Sequence, residues 1–137
     1  MENVASSYLL IFRESAPERY EAMSPVEIRQ SLDAWNGWCD SLAARGKLQS
    51  GNPLAASGRL VSQGTRPRVL DGPFAEAKEL IGGYFQVAAA DLDEATALAE
   101  ECPLLEYGMT VEVRPIAPAC HLAVALGWET MREPASV

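Results

Sequence analysis

Apolar positions along this chain recur with two different periods, and the changes between them predict its elements. Tyr8-Leu9-Leu10-Ile11-Phe12 is an unbroken apolar run of strand length, as expected of a strand covered on both faces. Residues 14–23 are polar, contain Pro17 and read as a loop. From Ser24 the period lengthens: Ile28, Leu32, Trp35, Trp38, Cys39 and Leu42 recur at helical spacing and mark one apolar face. Ser24 and Glu27 form a capping box, Pro25 suits the first helical position, and Gly46 suits the C′ position, so a helix is predicted over 25–44.

Leu48 to Gly51 begins a return strand that Asn52-Pro53 interrupts. Ala56–Val61 and Arg68–Leu70 read as short strands, and Gly83–Ala89 as a longer one, with Gly82-Gly83 a bend or bulge at its entry. Asp91 is an N-cap followed by acidic residues that the helix dipole favours; Leu92, Ala95, Leu98, Ala99 and Cys102 supply the buried stripe, and Pro103 stops the helix. Met109–Arg114 alternates apolar and polar and ends at Pro115. The order β-α-β-β-β-α-β predicts an α+β domain, a ferredoxin-like antiparallel sheet with two helices on one face. Helices on one face leave the other to be covered. Leu10, Phe12, Phe85, Val87, Val111 and Val113 are therefore expected to drive a homodimer.

Charge narrows the function. The net charge of −8 argues against direct nucleic-acid binding and against anionic membranes. No apolar run nears the ~20 residues that span a bilayer, and Met1-Glu2-Asn3-Val4 lacks the basic flank of a signal peptide. Cys39, Cys102 and Cys120 match neither a disulfide framework nor a Cys-x-x-Cys motif, so reduced thiols and a cytoplasmic location are expected. No nucleotide-binding or nucleophile-elbow motif occurs, and no cofactor is expected. One domain (1–116) is followed by an extension (117–137), whose apolar Ala119–Trp128 segment is expected to pack on the domain or on a partner subunit.

The densest chemistry lies in Asp71-Gly72-Pro73-Phe74-Ala75-Glu76-Ala77-Lys78-Glu79-Leu80-Ile81-Gly82-Gly83-Tyr84-Phe85, a turn with three carboxylates and a lysine between apolar runs. This stretch resembles the signature of the DGPF proteins, a branch of the YCII-related superfamily. The resemblance extends over roughly residues 7–116 through Arg45-Gly46-Lys47-Leu48, Asp91-Leu92-Asp93-Glu94-Ala95, Glu101-Cys102-Pro103 and Val111-Glu112-Val113-Arg114-Pro115. It implies a dimeric α/β barrel. Some YCII-like proteins carry a His–Asp acid–base pair, but Trp35 and Cys102 stand at those positions here. Neither can replace it.

Candidate catalytic groups are therefore Asp71 and Glu76, and candidate ligand-binding residues are Asp71, Phe74, Glu76, Glu79 and Tyr84. Asp71 equally suits capping of its own turn. Without a histidine or a known loop spacing, the three carboxylates are not read as a metal site. Trp35, Trp38, Tyr84 and Phe85 could line a cleft between helix and sheet and hold a flat ligand, though the stripe favours both tryptophans as core; in a barrel of paired sheets a pocket would be walled by the sheet face opposite the helices. Tyr84 and Phe85 should point to opposite faces of their strand. His121, alone in the tail, reads as packed or surface, and no thiol reads as a nucleophile. The function expected is binding of a small polar molecule near the Asp71 loop, with weak enzyme activity left open. The alternative is a non-catalytic interaction or regulatory module associated with extracytoplasmic-function sigma factors, as the resemblance implies.

Overall fold

A computed structural model describes residues 6–14, 18–63, 69–71 and 80–135. Its elements are β1 (Ser6–Glu14), α1 (Glu18–Glu21), α2 (Pro25–Ala44), β2 (Leu48–Pro53), β3 (Arg59–Val61), β4 (Val69–Asp71), β5 (Leu80–Ala89), α3 (Leu92–Glu100), β6 (Met109–Pro115) and α4 (His121–Ala125). A 3-10 turn at Leu105–Tyr107 precedes β6. The main sheet has four antiparallel strands in the order β2-β5-β1-β6, the ferredoxin-like arrangement. Strands β3 and β4 form a separate two-stranded sheet rather than joining the main one. Four expectations need amending: α1 replaces part of the loop, β2 runs on through Asn52-Pro53, β3 is confined to Arg59–Val61, and β5 starts at Leu80 rather than Gly83; the tail adds a short helix.

The ends of α2 follow from local chemistry. The Glu27 N–H donates to Ser24 Oγ at 3.2 Å and the Ser24 N–H donates back to the Glu27 carboxylate, completing the capping box. At the other end Gly46 takes φ +70, and Lys47 N–H reaches Leu42 O at 2.8 Å in a Schellman closure. Asp91 caps α3 as expected, its Oδ1 accepting from the Glu94 N–H at 2.8 Å. Glu94 also accepts from Lys47 and the Ala90 N–H, which hold its carboxyl below the usual range and tie the end of α2 to the start of α3.

Alternation along the central strands decides what the core contains. Tyr8, Leu10 and Phe12 of β1 and Phe85, Val87 and Ala89 of β5 are buried under the helices, with Trp38, Leu42, Ala95, Leu98, Ala99, Cys102 and Met109. Val111 and Val113 pack against this cluster as well. The apolar residues expected to seek a partner subunit are thus satisfied within the chain. The open face instead carries a polar network. Ser7 and Gln86 donate to Gln49, Arg13 pairs with Glu112 at 2.6 Å, and Asn52 donates to the Tyr84 hydroxyl.

The apolar stripe of α2 is buried only over its second half. Leu42 is 0% exposed and Trp38 6%, whereas Leu32 is 56% exposed and Ile28 47%. Leu92, expected inside, also lies at the surface. Deleting buried methylenes costs transfer energy and leaves a cavity, whereas an exposed leucine has little to lose. Leu42→Ala is expected to lower the unfolding free energy by about 2–5 kcal/mol, and Leu32→Ala by less than ~1 kcal/mol. Urea denaturation of both variants measures the contrast, and comparable losses would mean that the first half of α2 is packed too.

Candidate functional site

Where the first half of α2 stands away from the sheet, a cleft of about 560 Å³ opens. Its floor is Phe12 of β1, Gly51–Pro53 of β2 and Gly82, Gly83 and Phe85 of β5. Its roof is Ile28, Ser31, Leu32, Trp35, Asn36 and Cys39 of α2, and Tyr20, Met23, Leu104 and Met109 close its sides. The volume suits a small organic ligand, and the lining is mostly apolar. The aromatic wall is rigid: the Phe12 ring meets Trp35 at 4.8 Å and Phe85 at 5.0 Å, both edge-to-face.

Polar groups enter this apolar space at few points. The Ser31 hydroxyl is buried and has no hydrogen-bond partner among the described residues, which is costly for a buried donor. Among the described residues Glu14 is the one charged side chain in the lining. Its position depends on an irregularity in the sheet. The register between β1 and β5 shifts after Phe12, so that Phe12 faces Gly83 while Arg13 faces Ile81, leaving Gly82 as an extra residue. A Cβ on Gly82 would lie 3.2 Å from Glu14 Oε2, so the glycine makes room for the carboxylate. The expected bulge is present, and it shapes the cleft.

Tyr20 of α1 directs its hydroxyl at Glu14. Burial, the Glu14 charge and the hydrogen bond to Glu14 together push the phenol up to about 12, because each disfavours phenolate. Neither residue stood out in the sequence: Tyr20 lay in a stretch read as loop, and Glu14 is one acid among many. Only the pairing of β1 with β5 and the turn of α1 bring them together.

The residues singled out from sequence separate. Trp35 and Phe85 line the cleft and Trp38 is core, whereas Tyr84 lies on the opposite sheet face, hydrogen-bonded by Asn52. The cleft lies between helix and sheet, where the aromatic residues were expected to line one, and not against the sheet face opposite the helices that a paired-sheet barrel would use. Asp71 is exposed in the small sheet, where its Oδ1 accepts from Arg59 Nε at 2.8 Å across the β3–β4 register. Phe74, Glu76 and Glu79 fall outside the described residues. Cys102 is buried with its Sγ 3.8 Å from Met109 Sδ, and burial pushes its thiol up. At Cys120 the N–H groups of Ala123 and Leu122 hold the thiol below its ordinary value. Among the described residues no group of three or more His, Cys, Asp or Glu is placed to hold a metal, and no helix is long and apolar enough to cross a membrane.

The Tyr20–Glu14 pairing has a direct spectroscopic consequence. In an ultraviolet titration Tyr20 is expected to ionise with a midpoint of about 12. A phenol raised in the folded state contributes stability that is intact below its ordinary value of 10.0 and is lost as pH rises through about 12. Glu14→Gln removes the charge and should bring the midpoint down, while burial keeps it above 10.0. No movement in that variant would show that Glu14 does not face the phenol.

Comparison with known proteins agrees with this architecture. Over 66 residues, 47% of this chain and 53% of the other, it is 36% identical to an uncharacterized protein of Rhizobium meliloti (strain 1021); the match thus spans about half the length of that relative. The model of the YCII-related domain matches residues 10–119, from β1 through β6 and most of the way to α4. The chain belongs to the YCII-related family.

Proposed function

We propose that this protein binds a small, largely apolar molecule in the cleft beneath the first half of α2. The observation that carries the reading is the pairing of an open apolar cavity with a buried Ser31 hydroxyl that lacks a partner among the described residues. Within the family we assign the chain to the DGPF branch on Asp71-Gly72-Pro73-Phe74, and the three thiols without disulfide partners support a cytoplasmic location. A polar ligand at the Asp71 loop is the weaker form of the proposal, since Asp71 is exposed and already paired with Arg59.

A second reading, a protein-interaction module, is favoured by exposed Leu60, Val61 and Val69 on the small sheet, which project apolar surface away from the core. Association with a sigma factor would be one form of it. A homodimer joined through the open sheet face suits either reading. Its support is the half-buried Leu9 and Ile11 amid the polar network. In sedimentation equilibrium the dimer would report twice the 14.8 kDa chain mass, and a monomer at every concentration would refute it.

Cleft binding is tested with the neutral fluorescent probe N-phenyl-1-naphthylamine. Saturable binding is expected, weakened at least about tenfold by Leu32→Glu, which sets a charge in the apolar roof. Leu122→Glu, on the exposed face of α4, is expected to leave binding as it is. Absence of saturable binding, or equal binding by both variants, would overturn the reading.

A further inference from the structure

We propose that the cleft selects organic cations, namely amines attached to an aromatic or aliphatic body. This rests on the reading that the cleft binds a small molecule, and adds its charge. Among the described residues the lining contains one carboxylic acid, Glu14, and no lysine, arginine or histidine. Among the described residues no ion pair engages Glu14. Its sequence neighbour Arg13 pairs with Glu112 on the other sheet face, and Arg19 of α1 lies against Gly108. Tyr20 donates to the carboxylate, but a carboxylate has lone pairs for several donors, so capacity remains for an ammonium N–H. An anionic ligand would meet Glu14 without a compensating cation. A neutral one would leave the Glu14 charge uncompensated.

The walls fit the same ligand. Phe12, Trp35 and Phe85 offer aromatic surface that attracts a cation near their ring faces. Met23, Ile28, Leu32 and Leu104 would enclose its apolar body, and the Ser31 hydroxyl would take a hydrogen bond from or to it. The net charge of −8 adds a long-range field that draws cations toward the protein.

The experiment is calorimetric titration of the full chain with three probes of one shape: 3-phenylpropylamine, 3-phenylpropanol and 3-phenylpropionate. The amine is expected to bind at least about tenfold more tightly than the alcohol, and the carboxylate most weakly. In Glu14→Gln the amine-to-alcohol ratio should fall to about one, whatever the absolute affinities, and Glu14→Asp should restore part of the preference. Equal binding of amine and alcohol by the natural chain would overturn charge selection while leaving the cleft reading intact. Tighter binding of the carboxylate, or a preference that survives Glu14→Gln, would also overturn it. If none of the probes binds, and the neutral fluorescent probe does not bind either, both readings fall together. The natural chain alone decides the main claim should a variant not fold.

Discussion

The packing of Trp38 and Leu42 onto the centre of the sheet is the contact on which the remaining arrangement depends. Four rings, Phe12, Trp35, Trp38 and Phe85, meet in pairs at centroid distances from 4.8 to 5.9 Å. This cluster joins α2 to the two central strands β1 and β5, and Leu42 seals it from below. The indole N–H of Trp38 is left without a partner among the described residues. An orphaned donor costs about 1–3 kcal/mol, whereas burying an indole of ~200 Å² contributes roughly 5 kcal/mol. Burial wins, and the cluster tolerates its orphan.

From that anchor the two halves of α2 acquire different roles. The second half closes the core, and the first half roofs a cleft whose polar end is set by the bulge at Gly82. Trp35 stands at the boundary, one side against the rings and the other facing the cavity. Fold and candidate site are therefore built from the same residues. A substitution at Trp35 or Phe85 acts on both at once, whereas Ser31, Leu32 and Glu14 act on the cleft with less consequence for the core.

Sequence patterning reaches the fold much further than the site. The limits of α2 were legible because they depend on neighbours within a few residues: Ser24 with Glu27, and Gly46 with its positive φ. The same holds for Asp91 before α3. Which face of the sheet the valines of β6 joined was not legible, since alternation gives two faces without saying which one meets the helices. The cleft was hidden for a related reason. Ile28 and Leu32 continue the spacing of Trp38 and Leu42, and period alone does not report how far a helix stands from the strands beneath it. Glu14 and Tyr20 belong to no motif; they meet because β1 ends beside α1. The signature that begins at Asp71 is dense in charge, yet Asp71 itself sits in a small exposed two-stranded sheet, while the far end of the same stretch, Gly82, Gly83 and Phe85, lines the cleft.

The Schellman closure at Gly46 has a mechanical side. It joins α2 to β2 with almost no slack, and Lys47 O at once accepts the Ala88 N–H at 2.7 Å. The twenty-residue helix is thus a lever with its fulcrum at Leu42 and its far end beyond the core. At 1.5 Å per residue, Ile28 lies ~21 Å from that fulcrum, so a tilt of about 10° would move it by roughly 4 Å. Motion of that size at the roof is comparable to the thickness of an aromatic ring, while the core residues close to the fulcrum would scarcely shift. Were an occupant to enter the proposed cleft, such a tilt would widen it most at Ile28 and least beside Leu42.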